Sequence, residues 1–460
     1  MPGRGPYQLV VVGSGSAGVA AALEARTRGA RVAVVEAGAV GGTCVNVGCV
    51  PSKTLLRAGE AAHRAAQPRV PGVRAGGVEV DFAEVAGARD RRVQTLRKAK
   101  YADVLAAAGV ELIQGRARFL DPATLAVDGG PLLARAYLLA TGAGPHLPPI
   151  PGLKESRPWT YLEATTSHAL PESLLVIGGG AVGLELAQAY HRLGSRVTVL
   201  EAAPRVLPSE DEELAGALAG YLEREGIAIQ TGVRVERVEG ETGYRVHTDA
   251  GVFEAERLLV ATGRRPRLQD LDLQAAAIEV DQRGFLRLDD RLATSNPRVF
   301  AAGDVAGLPQ FVYVAAQSGR VAARNALGAS ERLDLSAVPR VTFTDPALAA
   351  VGLTEAEARG REEGVRVARL DLAELPRALA AFDTRGFFKI VVGASGAVLG
   401  LHVLAPEAGD VLQEGVLAVK HGLSYRVLTE TYHPYLTLAE GVRLVAQALD
   451  TDVKRLSCCA

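Results

Sequence analysis

The chain has 460 residues, 48% of them hydrophobic and 22% charged, an ordinary globular composition with apolar material for several cores. Lys and Arg number 51 against 52 Asp and Glu, a formal net charge of −1, so no overall field draws in nucleic acid or an anionic membrane surface. No run approaches the roughly 20 apolar residues of a spanning helix, the N-terminus lacks a signal-peptide layout, and four cysteines are too few for a secreted disulfide scaffold. These features predict a soluble, cytoplasmic protein with neither a nucleic-acid nor a membrane partner.

Residues 9–12 are a β-branched run. They lead into Gly13-Ser14-Gly15-Ser16-Ala17-Gly18, an Ala-rich helical stretch to Arg28, and a second strand over 31–35 closing on Glu36. Gly13 suits the tight turn, Gly15 lets a pyrophosphate approach the backbone, and Gly18 lets the helix pack on the sheet. Glu36, eighteen residues past Gly18, is placed to accept from a ribose hydroxyl. The pattern recurs: a strand over 174–177, then Gly178-Gly179-Gly180-Ala181-Val182-Gly183, a helix to Arg192, and a strand over 196–200 closing on Glu201, again eighteen residues past the third glycine. A lone GxGxxG is weak, because glycine turns are common. Two complete strand-helix-strand contexts predict two dinucleotide sites.

Between the two units lie a long, Arg-rich helical segment over 82–108, a β-rich stretch ending Ala140-Thr141-Gly142, and a Pro-rich segment over 145–151 that reads as a linker. The second unit closes on Ala261-Thr262-Gly263. Beyond it, Val299-Phe300-Ala301-Ala302-Gly303-Asp304 puts an acid past a buried strand. After residue 335 the texture changes to shorter strands (341–344, 387–392, 398–403) and helices (409–421, 438–449), which reads as an α+β interface domain. The predicted fold is α/β, with two Rossmann-like dinucleotide-binding domains and a C-terminal α+β domain: residues 1–150 and 268–335 form the first unit, 151–267 the second, and 336–460 the last.

Cys44 and Cys49 sit in Gly41-Gly42-Thr43-Cys44-Val45-Asn46-Val47-Gly48-Cys49-Val50-Pro51-Ser52-Lys53. Two cysteines five residues apart near a helix start can close a small disulfide, and a helix N-terminus stabilises the thiolate that reduction releases. This segment, both GxGxxG units, both Ala-Thr-Gly turns and Ala301-Ala302-Gly303-Asp304 together resemble the flavoprotein disulfide reductases, the group of dihydrolipoamide dehydrogenase, glutathione reductase and the mercuric reductases. The resemblance covers essentially the whole chain. It implies FAD on the first unit, held by Gly13, Gly15, Ser16, Ala17, Gly18, Glu36, Gly42, Thr43, Thr141, Gly142 and Asp304. It implies a nicotinamide nucleotide on the second, held by Gly178, Gly180, Val182, Gly183, Glu201 and Gly263, and a homodimer built by the C-terminal domain. By the same resemblance Cys49 is the thiol next to the flavin, Cys44 the exchanging thiol, and Lys53 with Glu185 an ion pair beside the flavin ring. Glu201 suits the free 2′-hydroxyl of NADH and repels a 2′-phosphate, whereas the resemblance points more often to NADPH and Arg205 lies close by. The expectation is NADH at least as good as NADPH.

Disulfide-reducing members carry His-Pro-Thr-x-x-Glu, the His protonating the leaving thiol. Counted back from Glu440, this chain places Tyr435 in the histidine's position. A phenol of pKa about 10 does not shuttle protons at neutral pH as an imidazole does. His433, two residues upstream, keeps a second reading open, in which a register shift makes it the base of a dihydrolipoamide dehydrogenase or a related dithiol-disulfide reductase. The chain ends Lys454-Arg455-Leu456-Ser457-Cys458-Cys459-Ala460. Adjacent thiols do not easily form a relaxed disulfide, but two soft thiolates hold a soft cation such as Hg(II). With Tyr435, this tail resembles the mercuric reductases. It implies that Hg(II) is the substrate, that Cys458 and Cys459 of one subunit pass it to Cys44 and Cys49 of the other, and that Tyr101 and Tyr435 line the site. Many such proteins carry an N-terminal metal-binding domain. Here the first residues lead directly into the FAD strand, so mercury is expected from thiol complexes or a donor protein.

Overall fold

A computed structural model describes residues 6–241, 243–282 and 284–452. Its first sheet has the order Val299–Ala301, Ala134–Leu139, Tyr7–Val12, Val32–Glu36 and Glu111–Gln114, every pair parallel. The inner strands are apolar on both faces and buried on both, as a sheet covered by crossover helices requires. Register puts Val12 opposite Leu139, and Leu139 opposite Ala301. The glycine turn after Val12, the Thr141-Gly142 turn and the Gly303-Asp304 turn therefore emerge on one rim, the carboxyl edge where α/β sheets bind ligands. The crossover helix Ser16–Thr27 packs along Val312–Ala326.

The second unit repeats this plan in the order Ala228–Thr231, Arg196–Glu201, Ser173–Ile177 and Arg257–Val260, again all parallel. Each unit also carries a three-stranded antiparallel meander: Ala117–Asp121, Thr124–Val127 and Gly130–Leu132 in the first, Val235–Glu239, Tyr244–Thr248 and Gly251–Ala255 in the second. The Pro-rich segment is not a free linker. Ala143–Pro145 pairs antiparallel with Arg264–Pro266, clasping the exit of one unit to that of the other, and Leu147 and Ile150 pack on the core of the second unit. The long helical segment is also broken: Phe82–Arg97 passes through a π-helical turn, Lys98–Ala102, into Asp103–Ala107.

The C-terminal region is a five-stranded antiparallel sheet ordered Arg340–Thr342, Ala347–Gly352, Val398–Ala405, Phe387–Val392 and Arg366–Asp371, with helices Gln413–His421 and Glu440–Gln447 against it. Two of these strands were not predicted. Ala347–Gly352 is alanine-rich, a composition with weak strand preference, and becomes a strand because its neighbours bury all of it but Gly352. The helix Tyr425–Glu430 was likewise missed. Among the described residues no helix is long and apolar enough to cross a membrane.

Candidate active site

Gly41, at φ 101°, turns the chain out of the first unit into the short helix Gly42–Val47, and Gly48 leads to the 18-residue helix Cys49–Ala66. A side chain at Gly41 would meet Val45 and the Tyr101 ring, so the turn is specific to glycine by space as well as by conformation. The loop between the thiols is pinned: the Asn46 amide donates to the carbonyls of Val40 and Gly42 at 3.0 and 2.9 Å, and the Thr165 hydroxyl donates to the carbonyl of Val47 at 2.9 Å. Cys44 is half-buried and Cys49 exposed, both as free thiols. Cys49 opens its helix, where the backbone N–H groups favour an anion. A hydrogen bond from the Cys44 thiol, aided by the Lys53 ammonium and opposed by burial, lowers its pKa to about 7. Cys44, hydrogen-bonded to Cys49 and desolvated, is driven the other way. The pair therefore holds one thiolate and one thiol near neutral pH, with the thiolate on Cys49.

Lys53, one helical turn beyond Cys49, reaches Glu185 of the second unit, Nζ to Oε2 2.6 Å. Glu185 is buried, and its other oxygen accepts the Phe343 N–H at 2.9 Å. The Phe343 ring lies 4.4 Å from the Lys53 Nζ. Residues 132 positions apart, the two that the resemblance pairs, thus meet.

Two clefts that share Gly15, Thr43, Ala140 and Gly142 run along the rim. One, of about 450 Å³, extends past Gly13, Ser14, Glu36, Gly42 and Thr141 to Arg267. The other, of about 110 Å³, is lined by Ser16, Ala17, Cys44, Cys49, Arg264 and Asp304. Together they form one course that runs from Glu36 to the thiols. Gly15 makes the cradle: a Cβ there would have its nearest neighbour at 3.9 Å, so the space in front is open to a phosphate, while at Gly18 a Cβ would fall 1.9 Å from the Gly13 carbonyl oxygen. Glu36 braces the loop, accepting the Ser14 N–H and hydroxyl at 2.9 and 2.6 Å and the Gly38 N–H at 2.8 Å. Asp304 is gripped by Arg264 at 2.5 Å, and Arg264 also donates to the Ala143 carbonyl at 2.7 Å. Nothing in the chain order points to Arg264, whose partner lies 40 residues on and whose neighbours Arg265 and Arg267 look alike. The residues present fit FAD.

The second glycine turn repeats the cradle. A Cβ at Gly180 would meet nothing within 4 Å, whereas one at Gly183 would lie 2.0 Å from the Gly178 oxygen. Glu201 accepts the Gly179 N–H at 2.6 Å and the Ala203 N–H at 2.7 Å. Arg205 is turned onto its own chain, donating to the carbonyls of Leu207 and Pro208 at 2.9 and 2.8 Å. Val182 is exposed at the mouth, and Gly263 follows the strand Arg257–Val260, its carbonyl accepting from the His146 N–H.

Tyr101 lies in the π-helical turn, its ring against Gly41 and its hydroxyl hydrogen-bonded to Ser16. Burial raises its pKa, the Ser16 bond opposes this, and the nearby thiols add to the rise. His433 is held elsewhere: its side chain is 1% exposed, Nε2 is 2.7 Å from Glu414 and Nδ1 is 2.9 Å from the Thr431 carbonyl. Tyr435 is 49% exposed on the C-terminal domain. Neither lines the cleft containing the thiols of the same chain. Cys458 and Cys459 lie outside the described residues.

Residues 7–319 match the pyridine nucleotide-disulphide oxidoreductase family, and residues 338–446 match its dimerisation domain. A mercuric reductase of Bacillus cereus is 44% identical over 465 aligned residues, covering 100% of this chain and 74% of that protein. Another, of Streptomyces lividans, is 43% identical over 470, covering 99% and 98%. Among solved structures, the HOCl-induced flavoprotein disulfide reductase RclA of Escherichia coli aligns with a TM-score of 0.88 at 31% identity, over 96% of this chain and 100% of that one. Its Cu(II) complex aligns at 0.86 over 95% and 98%.

Proposed function

Because the chain belongs to the pyridine nucleotide-disulphide oxidoreductase family and is an FAD-dependent oxidoreductase, we propose that it reduces thiol-bound Hg(II) to Hg(0) at the expense of NAD(P)H. What carries this reading is the way His433 is held, tied to Glu414 and the Thr431 carbonyl, together with the tyrosine, Tyr435, that the resemblance counts at the position of the disulfide reductases' histidine. An organic disulfide needs a proton for its leaving thiol, whereas a mercuric ion exchanged between thiolates does not.

When bound, FAD supplies acceptance of a hydride from the nicotinamide nucleotide and return of two electrons at the thiols. The protein's own part begins with Cys458 and Cys459 of one subunit of a homodimer, which take Hg(II) from thiol complexes or a donor protein. They hand it by ligand exchange to Cys44 and Cys49 of the other subunit, two sulfur ligands staying on the metal throughout. The Cys49 thiolate at its helix N-terminus receives the ion without waiting for deprotonation, and as the Cys44 Hg–S bond forms the Cys44 proton passes to the tail thiolate it displaces, so no separate base is required. Tyr101 and Tyr435 orient the ion. Hg(II) takes up two electrons there and departs as Hg(0), for which thiolates have little affinity. Glu201, with Arg205 turned away from it, favours NADH. The Cys458→Ala/Cys459→Ala variant is expected to keep its flavin spectrum and lose turnover of thiol-complexed mercury. Full retention of that turnover removes the tail from the mechanism.

A further inference from the structure

Arg264 opens the short strand Arg264–Pro266, which leaves the second unit directly after Gly263, yet its side chain binds the first. One terminal nitrogen donates to Asp304 Oδ2 at 2.5 Å and the other to the Ala143 carbonyl at 2.7 Å. Nε is buried with no hydrogen-bond partner among the described residues, and the guanidinium carbon lies 5.6 Å from the centre of the Tyr161 ring. Antiparallel pairing with Ala143–Pro145 fixes the backbone beneath it. Strand pairing, an aromatic face and a carbonyl thus anchor Arg264, and from that anchor it holds Asp304.

Asp304 lies in the turn Gly303–Ala306 on the carboxyl rim, and both partners of the pair are largely buried, their side chains 18% and 16% exposed. Among the described residues only Arg264 bonds the Asp304 side chain, through Oδ2, which leaves Oδ1 to the cleft that Asp304 lines with Gly15, Ser16 and Ala17. A carboxylate left to rotate there would turn its charge on a diphosphate seated at the Gly15 cradle, and like charges in a partly dry cleft repel. One matched by a guanidinium and fixed in rotamer presents a single oxygen to a hydroxyl of the ribityl chain. We propose that Arg264 is a positioning residue for FAD: by neutralising Asp304 and fixing its rotamer, it aims Oδ1 at the cofactor. The role rests on the reading of Asp304 as an FAD contact, and holds whatever the oxidising substrate is.

The test is the dissociation constant of FAD from the purified holoprotein, read from the flavin fluorescence that dilution releases. Asp304→Ala is expected to raise it, and an unchanged value there refutes the reading of Asp304 and the proposal with it. Arg264→Met, which keeps an apolar stem and removes the charge, is expected to raise the constant about thirtyfold, the scale of one hydrogen bond to a charged group. The double variant should match Asp304→Ala alone, because Arg264 acts through that carboxylate. Arg264→Lys, which restores the charge, should recover most of the affinity. A rise in Asp304→Ala beside an unchanged constant in Arg264→Met overturns the positioning role and leaves Asp304 a contact. A full further rise on the Asp304→Ala background, or a lysine variant no better than methionine, also overturns it and marks a merely structural part. If Arg264→Met does not fold, Arg264→Lys carries the test alone: an ammonium does not reproduce the fork that spans Asp304 and Ala143, so a rise of about threefold is expected and none overturns the proposal. Mercury turnover enters none of these readouts, so their failure is separate from failure of the proposed reaction.

Discussion

At the scale of single residues the two thiols of one short loop are made unequal by what surrounds them. Cys49 heads a helix, takes a hydrogen bond from Cys44 and feels the Lys53 charge; Cys44 donates that bond and is the less exposed of the two. Alkylation of the reduced protein is therefore expected to begin at Cys49 with a midpoint near pH 7, while Cys44 stays unreactive through the ordinary thiol range. Because the Cys44 hydrogen bond is the largest cause, Cys44→Ala should move the Cys49 midpoint upward, toward the ordinary thiol value of about 8.5. A midpoint unmoved by Cys44→Ala would contradict the assignment. Cys44 and Cys49 stood out in the sequence by their spacing at a helix start, and Lys53 and Glu185 by the resemblance of the motifs around them. Arg264 did not, since one arginine among three declares nothing until the distant carboxylate it binds is in place.

At the scale of elements, each strand, glycine turn and helix is a device for holding a dinucleotide, and the acid at the end of its second strand holds the turn itself. Glu201 braces the second turn through the Gly179 and Ala203 N–H groups and keeps a carboxylate where the coenzyme's ribose is expected to lie. NADH is accordingly expected to match or exceed NADPH in kcat/KM. Glu201→Ala should raise the ratio of NADPH to NADH efficiency by about tenfold, the scale of one removed charge repulsion. A tenfold preference for NADPH in the unaltered protein would contradict this. These units were legible because glycine spacing and apolar runs are local signals. The π-helical turn at Tyr101, the strand pairing of the Pro-rich segment and the alanine-rich strand Ala347–Gly352 were not, because each is decided by what it packs against.

At the scale of the whole molecule, ion pairs tie the second dinucleotide unit to the C-terminal domain. Lys389, 5% exposed, has Asp211, Glu213 and Glu355 within 3.1, 3.2 and 2.9 Å. Arg192 joins Glu225 to Asp345. Burial lowers the Lys389 pKa, but the carboxylates outweigh it and raise the net value above 10.5, so its contribution to stability is complete below that pH and is lost as pH rises through the folded value. Lys389→Met leaves the buried Asp211 carboxylate without its cation, while Glu213 and Glu355 keep Arg369 and Arg359, and is expected to cost about 3 kcal/mol, seen as a lower denaturant midpoint at pH 7. A midpoint within error of the parent would show the cluster to be dispensable. The overall plan of two nucleotide units and an interface domain was readable from repetition and from the change of texture after residue 335, whereas the ion pairs that join them link residues more than a hundred positions apart. The claim that organises all three scales is that this scaffold delivers electrons to a thiol-bound metal. Its most direct test is anaerobic oxidation of NADH and NADPH with Hg(II) in excess thiol, run beside lipoamide and glutathione disulfide. Mercury-dependent oxidation with release of volatile Hg(0), and little with either disulfide, is the predicted result. Rapid lipoamide turnover without a mercury response would contradict it and make His433 the base.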